Sequence, residues 1–261
     1  MLLSRLTWPE VADAVARGDA WGLVPTGSFE QHGPHLPLIT DAAFADVLAG
    51  MIAQRIAQPC LTMPALPIGI SGHHTGFPGT ATVSEELFAA AVGAQVDALE
   101  RAGVERVALF SAHGGNFAAL GRIAAARSAP RLAAYADVHR FVGAMADAGR
   151  AAGLDPGPAD WHAGVLETSM ALSAFPDVVR AFEGVRGYGG EDPDWQARMA
   201  AKGVDALSAS GVLGDPAGAN AEAGAAILAA LADELAHHFA AALDLDLQPT
   251  PTMDTRSERG N

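Results

Sequence analysis

The sequence predicts an α/β fold, with a mainly parallel sheet covered on both faces by helices. Three observations predict it. Short, unbroken apolar runs alternate along the chain with segments whose apolar residues recur at helical spacing. Most of the runs end in turns rich in Gly, Pro and polar residues, as strands that feed crossover connections do. No internal repeat or compositional break divides the 261 residues, so a single domain over 1–246 is expected, with a disordered tail at 247–261.

Thr7 can cap a first helix, with Pro9 and Glu10 in its opening turn and Val11, Ala14 and Val15 on one face up to Gly18. Trp21 to Val24 reads as a buried strand. Ala42 to Gln58 reads as a helix carrying Phe44, Val47, Leu48, Met51, Ile52 and Ile56. Leu61 to Ile68 is a second strand or strand edge, and Gly69 to Thr80, with Gly at 69, 72, 76 and 79, is a loop. Ser84 caps a helix that runs to Ala102 and stops at Gly103. Arg106 to Ser111 is the next strand, delivering His113-Gly114-Gly115-Asn116 to a tight turn before a helix from Phe117 to Ala126. A strand from Arg131 to Val138, a helix from Phe141 to Ala152 and a helix from Asp160 to Ala174 continue the alternation. Between Pro176 and Gly211 the pattern is broken by Gly187, Gly189, Gly190 and Pro193, so this segment is expected to wrap over the sheet. Ala221 to Leu243 is a long Ala-rich helix with Ile227, Leu228, Leu231, Leu235 and Phe239 on its apolar side.

Composition excludes several function classes. Thirty acidic against sixteen basic residues give a formal charge of −14, which repels phosphate backbones and anionic membrane surfaces, so no nucleic-acid partner is expected. No apolar run is long enough, and free enough of Gly and charge, to predict a membrane span. Met1 is followed by no signal-like apolar stretch, and a cytoplasmic location is expected. The single Cys60 sits beside Leu61 and Met63 and reads as a buried, inert thiol.

Chemistry concentrates in Pro25 to Asp41, where Glu30, His32 and Asp41 share a loop stiffened by Pro34 and Pro37 at the end of the first strand. Glu30 and His32 are two apart, so an extended backbone aims both to one side, and such O and N donors suit zinc or a similar divalent ion. Taken alone, Asp41 has a plainer reading as a helix N-cap. His113 and Glu167 also fall at a Gly-rich turn or a helix start after a strand, where a parallel sheet gathers its site. Such a cluster of carboxylates and imidazoles is costly unless a cation neutralises it. A serine-nucleophile hydrolase is disfavoured, because the chain has no Gly-x-Ser-x-Gly elbow. A dinucleotide site is disfavoured because His113-Gly114-Gly115-Asn116 lacks the Gly-x-Gly-x-x-Gly spacing. A non-catalytic metal- or sugar-binding module remains a rival reading.

Four separated motifs resemble the creatininase (creatinine amidohydrolase) family: Glu30-Gln31-His32-Gly33-Pro34-His35-Leu36-Pro37 with Thr40-Asp41, His113-Gly114-Gly115-Asn116, His162-Ala163-Gly164 with Glu167-Thr168-Ser169, and Gly211 to Pro216. The resemblance implies a three-layer α/β/α fold, two divalent metal ions (Zn, Mn or Fe), and hydrolysis of amide C–N bonds in a homo-oligomer, often a hexamer. It implies Glu30, His32, Asp41, His113 and Glu167 as metal ligands, with Asp41 bridging. It implies His162 as the proton-handling residue, with Glu167 as the other candidate; a structural role for His162 at the helix start is the alternative. In creatininase proper an acidic residue lies two positions after the histidine matching His113. Here that position is Gly115, a pattern that resembles the His-Gly-Gly-Asn branch of the family and leaves the exact ligand set and creatinine as substrate open. His35, His73 and His74 are expected to support the ligands, shape loops or touch substrate.

The resemblance implies as substrate a small cyclic amide or a short peptide, with a mycofactocin-type precursor peptide as the alternative. A phosphorylated nucleotide formamide is disfavoured, because the motif loops carry almost no Arg or Lys.

Overall fold

The computed structural model describes residues 1–127 and 131–249. Among them β1 (Trp21–Thr26), β2 (Cys60–Thr62), β3 (Val107–Ser111) and β4 (Leu132–Ala134) form one sheet in the order β2-β1-β3-β4. Every pairing is parallel; Leu23 lies opposite Thr62 on one side and Ala108 on the other. The central strands are apolar at successive positions because both faces are covered. Alternate side chains enter different cores: Trp21, Leu23, Ala108 and Phe110 on one face, Val24, Val107 and Leu109 on the other.

The helices are α1 (Trp8–Val15), α2 (Thr40–Ala53), α3 (Glu85–Arg101), α4 (Phe117–Ala126), α5 (Val138–Ala151), α6 (Val165–Ala174), α7 (Trp195–Lys202) and α8 (Ala221–Leu243). Helices α3 and α4 pack Phe88, Val92, Val96, Leu99 and Leu120 over the Val24 face. The opposite face receives Phe44, Leu48 and Ile52 of α2, Phe141 and Met145 of α5, Leu166 and Met170 of α6, and the Ile227-Leu231-Leu235-Phe239 stripe of α8. This is the three-layer α/β/α arrangement that the sequence predicts. On length and composition α8 is apolar enough to cross a membrane, contrary to the sequence expectation, but half of that stretch is buried inside the protein. Its apolar side is spent on α2, α5 and α6.

The α6–α8 contact depends on Gly224, where an added Cβ would strike the main-chain carbonyl of Ser169. Ala is favoured over Gly inside a helix by about 1 kcal/mol, whereas forcing two helices apart costs about 1–3 kcal/mol. Gly224→Ala is therefore expected to lower the melting temperature by several degrees in calorimetry. An unchanged or raised value would mean that α6 yields freely.

Several boundaries differ from the sequence expectation, each for a local reason. The second strand contracts to Cys60–Thr62, because Pro64 and Pro67 lack ladder donors. The fourth ends at Ala134, because the Asp137 side chain accepts the Arg140 N–H at 2.9 Å and starts α5 early. The helix expected from Asp160 opens only at Val165. Asp160 instead accepts the Val165 and Leu166 N–H groups at 2.9 and 3.3 Å, leaving 160–164 as a loop. Helix α2 ends at Ala53, short of Gln58. Helix α7, in the weakly patterned segment, has no counterpart in the sequence reading. Of the expected tail, Leu247 still bridges Ile56 and Gln248 N–H donates to Arg55 O at 2.7 Å, while 250–261 lie outside the described residues.

Candidate metal centre

The loops at the carboxyl ends of the strands converge on one point. After β1 the chain passes close against the start of α2, where a Cβ on Gly27 would collide with the Ala42 backbone. It then reverses at Gly33, whose φ of +63° suits glycine; a Cβ there would also press to 2.6 Å from Val212 Cγ2. This reversal turns Glu30 and His32 inward, at 1% and 0% exposure. Helix α2 opens at Thr40, so Asp41 lies in its first turn and Ile39 is the N-cap; the plain N-cap reading of Asp41 fails. Asp41 turns its oxygens onto imidazoles instead.

Asp41 Oδ1 lies 3.0 Å from His32 Nε2, and Oδ2 lies 3.2 Å from His113 Nδ1. Glu30 Oε2 is also 3.2 Å from His113 Nδ1, and its Oε1 is 3.2 Å from His74 Nε2 and 3.8 Å from His162 Nδ1. Glu167 Oε2 is 3.9 Å from His32 Nε2 and accepts the Ala163 N–H at 2.6 Å. Ala163 holds φ +53°, a strained value for a residue with a Cβ, and that conformation aims its N–H at Glu167. The six site residues named from the sequence, Glu30, His32, Asp41, His113, His162 and Glu167, are thus brought together. His35 is buried apart from them, with its Nε2 2.8 Å from Thr168 Oγ1. His73 lines the adjoining cavity.

Hydrogen bonds set which ring nitrogen faces the cluster. His32 Nδ1 donates to Glu30 O at 3.1 Å, His113 Nε2 to Ile70 O at 3.1 Å, and His162 Nε2 to Gln31 O at 2.7 Å. Their other nitrogens, and the unpartnered buried Glu30 Oε2 and Asp41 Oδ2, face one another. Carboxylate oxygens and ring nitrogens crowded in this way need positive charge between them, as protons on the imidazoles or as metal ions, and the donors form overlapping groups able to hold an ion: Glu30-Asp41-His113, His32-His162-Glu167 and Glu30-His74-His162. The residues present therefore fit the divalent ions that the resemblance implies.

The charge states agree. Burial would raise Glu30 and Asp41, but the neighbouring imidazoles, chiefly His113 for Glu30 and His32 for Asp41, hold both well below the usual carboxylate range. Burial opposes protonation of His32 too, yet Asp41 raises it to about 10, and Glu30 raises His113 well above its ordinary value. Burial leaves Glu167 at about 7 despite His32. His74 and His162 lie well below 6.5, and His35 at about 4, burial being the first cause in each.

A pH prediction for the metal-free protein follows. Groups with raised imidazole values stabilise it fully below the unfolded value near 6.5, and that contribution is lost as the pH rises through about 10. The lowered imidazoles, His35, His73, His74, His162 and His238, act oppositely, so that their destabilising protonation begins below 6.5. Thermal melts in chelator are therefore expected to peak near pH 6.5 and fall steadily toward pH 10. A flat profile between those two values would contradict the charge states.

Three residues in the site carried weak or no sequence signal. Asn116 Oδ1 accepts the Ile70 N–H at 3.0 Å and its Nδ2 donates to Gly27 O at 2.9 Å, tying the loops after β1 and β2 together. His74, one of three secondary histidines in the sequence reading, touches Glu30. Gln31 lies between His74 and His162, its side-chain amide reaching His74 and its main-chain carbonyl accepting from His162. Beside the cluster opens a cavity of about 570 Å³ walled by Phe117, Phe141, Met145, Trp161, Met199 and Leu213. Its lining contains no Arg or Lys among the described residues.

The creatininase family model, described as creatinine amidohydrolase, matches residues 4–239. The chain belongs to the creatininase family. It is a family amidohydrolase, and the metal dependence of that family matches the buried donor set described above. A mycofactocin precursor peptide peptidase of Mycolicibacterium smegmatis is 37% identical over 214 residues, covering 79% of each chain. The creatinine amidohydrolase of Pseudomonas putida is 31% identical over 195 residues, covering 69% of this chain and 74% of its own. Among solved structures, a Zn–Zn creatininase carrying a glutamate-to-glutamine substitution superposes with a TM-score of 0.72 at 25% identity, covering 93% of this chain and 98% of that one. A creatininase described as the manganese form gives 0.65 at 26%, covering 93% and 98%.

In this creatininase-family chain, Gly115 leaves no room for a side chain. A Cβ there would strike Ile70 O and lie 2.5 Å from His113 Nε2, so an acidic ligand at that position is excluded by packing as well as by sequence.

Proposed function

We propose that the protein is a two-metal peptidase of the creatininase family, cleaving an amide bond in a short peptide with apolar or aromatic side chains. The cavity carries this reading. About 570 Å³ of mainly aromatic and aliphatic wall beside the cluster is more than a small polar cyclic amide needs, and it offers no cation for a phosphate. The similarity to four relatives named mycofactocin precursor peptide peptidase supports it.

Glu30, Asp41 and His113 would hold one ion and His32, Asp41 and Glu167 the second, with Asp41 shared. When bound, such a pair supplies a water nucleophile of near-neutral pKa and an electrophile for the amide carbonyl. The cavity wall, chiefly Phe117, Phe141 and Trp161, holds the flanking side chains and excludes bulk water from the scissile bond. His162, neutral and with its Nε2–H fixed on Gln31 O, turns its Nδ1 lone pair toward the cluster, where it accepts the proton of the attacking water and returns it to the leaving nitrogen.

The test offers zinc- or manganese-loaded protein creatinine, other cyclic amides and C-terminal fragments of a mycofactocin-type precursor, with products read by mass spectrometry. Peptide cleavage with the larger kcat/KM is expected; turnover of the cyclic amides alone would overturn the reading.

Metal uptake is itself measurable as proton release. The inward protons of His32 and His113, and the share held by Glu167, must leave when ions arrive, so about two to three protons per chain are expected at pH 7. Titration calorimetry in buffers of different ionisation enthalpy counts them, and a count near zero would contradict ligation by these imidazoles.

A further inference from the structure

Four imidazoles surround Glu30 and Asp41, and one of them is wired in the opposite sense. His32, His113 and His162 each spend a ring N–H on a main-chain carbonyl and turn the other nitrogen inward. His74 has no such carbonyl. Its outer nitrogen, Nδ1, lies 2.8 Å from Nε2 of the Gln31 amide. The orientation of that amide is fixed from both ends: Oε1 accepts the Gly33 N–H at 3.0 Å, and Nε2 donates to Gly211 O at 3.1 Å. The second Nε2 hydrogen is left for His74, so His74 Nδ1 accepts and its proton sits on Nε2, 3.2 Å from Glu30 Oε1.

Gln31 Nε2 also lies 3.0 Å from His162 Nε2. Both of its hydrogens are already committed, and a bare His162 Nε2 would face the Gln31 carbonyl at 2.7 Å, acceptor against acceptor. His162 Nε2 therefore carries the hydrogen and gives it to that carbonyl. Gly211 is part of the same device: its backbone, at φ +79°, comes so close that a Cβ would land on Gln31 Oε1.

We propose that Gln31 is a positioning residue that holds two site imidazoles in the same Nε2–H tautomer but turned opposite ways, so that His162 offers the cluster its Nδ1 lone pair and His74 offers it an Nε2–H. His74 then serves as a hydrogen-bond donor that holds Glu30 Oε1, and it stays outside the metal shell even though it lies as near to Glu30 as His113 does. The first donor group, Glu30-Asp41-His113, keeps its ion; the Glu30-His74-His162 group takes none.

This rests on the metal-centre reading, but the two fail separately. Histidine side-chain 15N spectra, recorded on metal-free and zinc-loaded protein, report which nitrogen of each neutral ring carries hydrogen, while elemental analysis reports whether zinc is bound at all. In the wild type, His74 is expected to carry its hydrogen on Nε2 in both forms. Gln31→Glu replaces the amide donor by an acceptor, so the His74 hydrogen is expected to move to Nδ1. His162 should not change, because the main-chain carbonyl that holds it remains. A wild-type His74 protonated on Nδ1, or the same His74 tautomer in both proteins, would overturn the proposal. If Gln31→Glu does not fold, His74→Gln decides with the wild-type spectrum. Its amide preserves a donor toward Glu30, and the wild-type zinc content is expected. Loss of one zinc per chain in that variant would make His74 a ligand and overturn the proposal. Absence of zinc from the wild type would sink the metal reading and leave the tautomers to be judged in the metal-free protein.

Discussion

Asp41→Ala is expected to strip both ions from the purified protein and abolish turnover, while His35→Ala keeps them. Among the described residues Asp41 is the one carboxylate whose two oxygens reach two ligand imidazoles, His32 at 3.0 Å and His113 at 3.2 Å. Removing it deletes a ligand from each position at once. It also removes the charge that does most to raise His32 to about 10, so the cluster loses affinity and internal balance together. Loss of even an outer partner of a ligand commonly costs about 10–100-fold in metal affinity, and a shared ligand costs more. His35 is equally buried, yet its ring bonds to Thr168 and no ligand carboxylate lies in contact with it. Elemental analysis of both variants, with circular dichroism to establish folding, checks this. Equal metal loss in the two would refute the assignment of Asp41 as the bridge.

His162→Asn is expected to keep the ions and the fold but lower kcat by about 10²–10⁴-fold, the usual worth of a general acid–base group. Two groups compete for the proton. Glu167, at about 7, has a suitable value, but its Oε2 is held by the Ala163 N–H at 2.6 Å and it belongs to the His32 ligand group. His162 has a free Nδ1 and a fixed ring, and it borders the substrate cavity. Burial, reinforced by the nearby His32, lowers its value, so the acid limb of the wild-type rate should lie below pH 6.5 and disappear in the variant. KM should change little. If His162→Asn instead arrives with an ion missing, His162 is a ligand and Glu167 takes the proton.

Much of this protein was legible in the chain itself. The alternation of Trp21–Thr26, Cys60–Thr62, Val107–Ser111 and Leu132–Ala134 with amphipathic helices determines a parallel sheet with two covered faces, because each strand needs apolar residues on both sides. Glu30, His32, Asp41, His113 and Glu167 were legible for a related reason, while His162 was legible only through the family resemblance. Each of the five is tied by a few covalent bonds to a strand end or a helix start, and the topology of such a sheet collects those points. Only the tertiary structure decided how the donors are wired. Gln31 lies 43 residues from His74 and 131 from His162, and the nitrogen that carries the hydrogen in each ring depends on that contact alone. The helix starts at Thr40 and Val165 were likewise set by tertiary needs, the first by the call of Asp41 on two imidazoles and the second by an Asp160 side chain reaching forward five residues. The apolar cavity wall came from α5, α7 and the loop at Trp161, segments whose periodicity describes only their own packing. Sequence pattern records which side chains leave the backbone together; hydrogen-bond polarity and cavity shape belong to pairs of groups that meet only once the chain has folded.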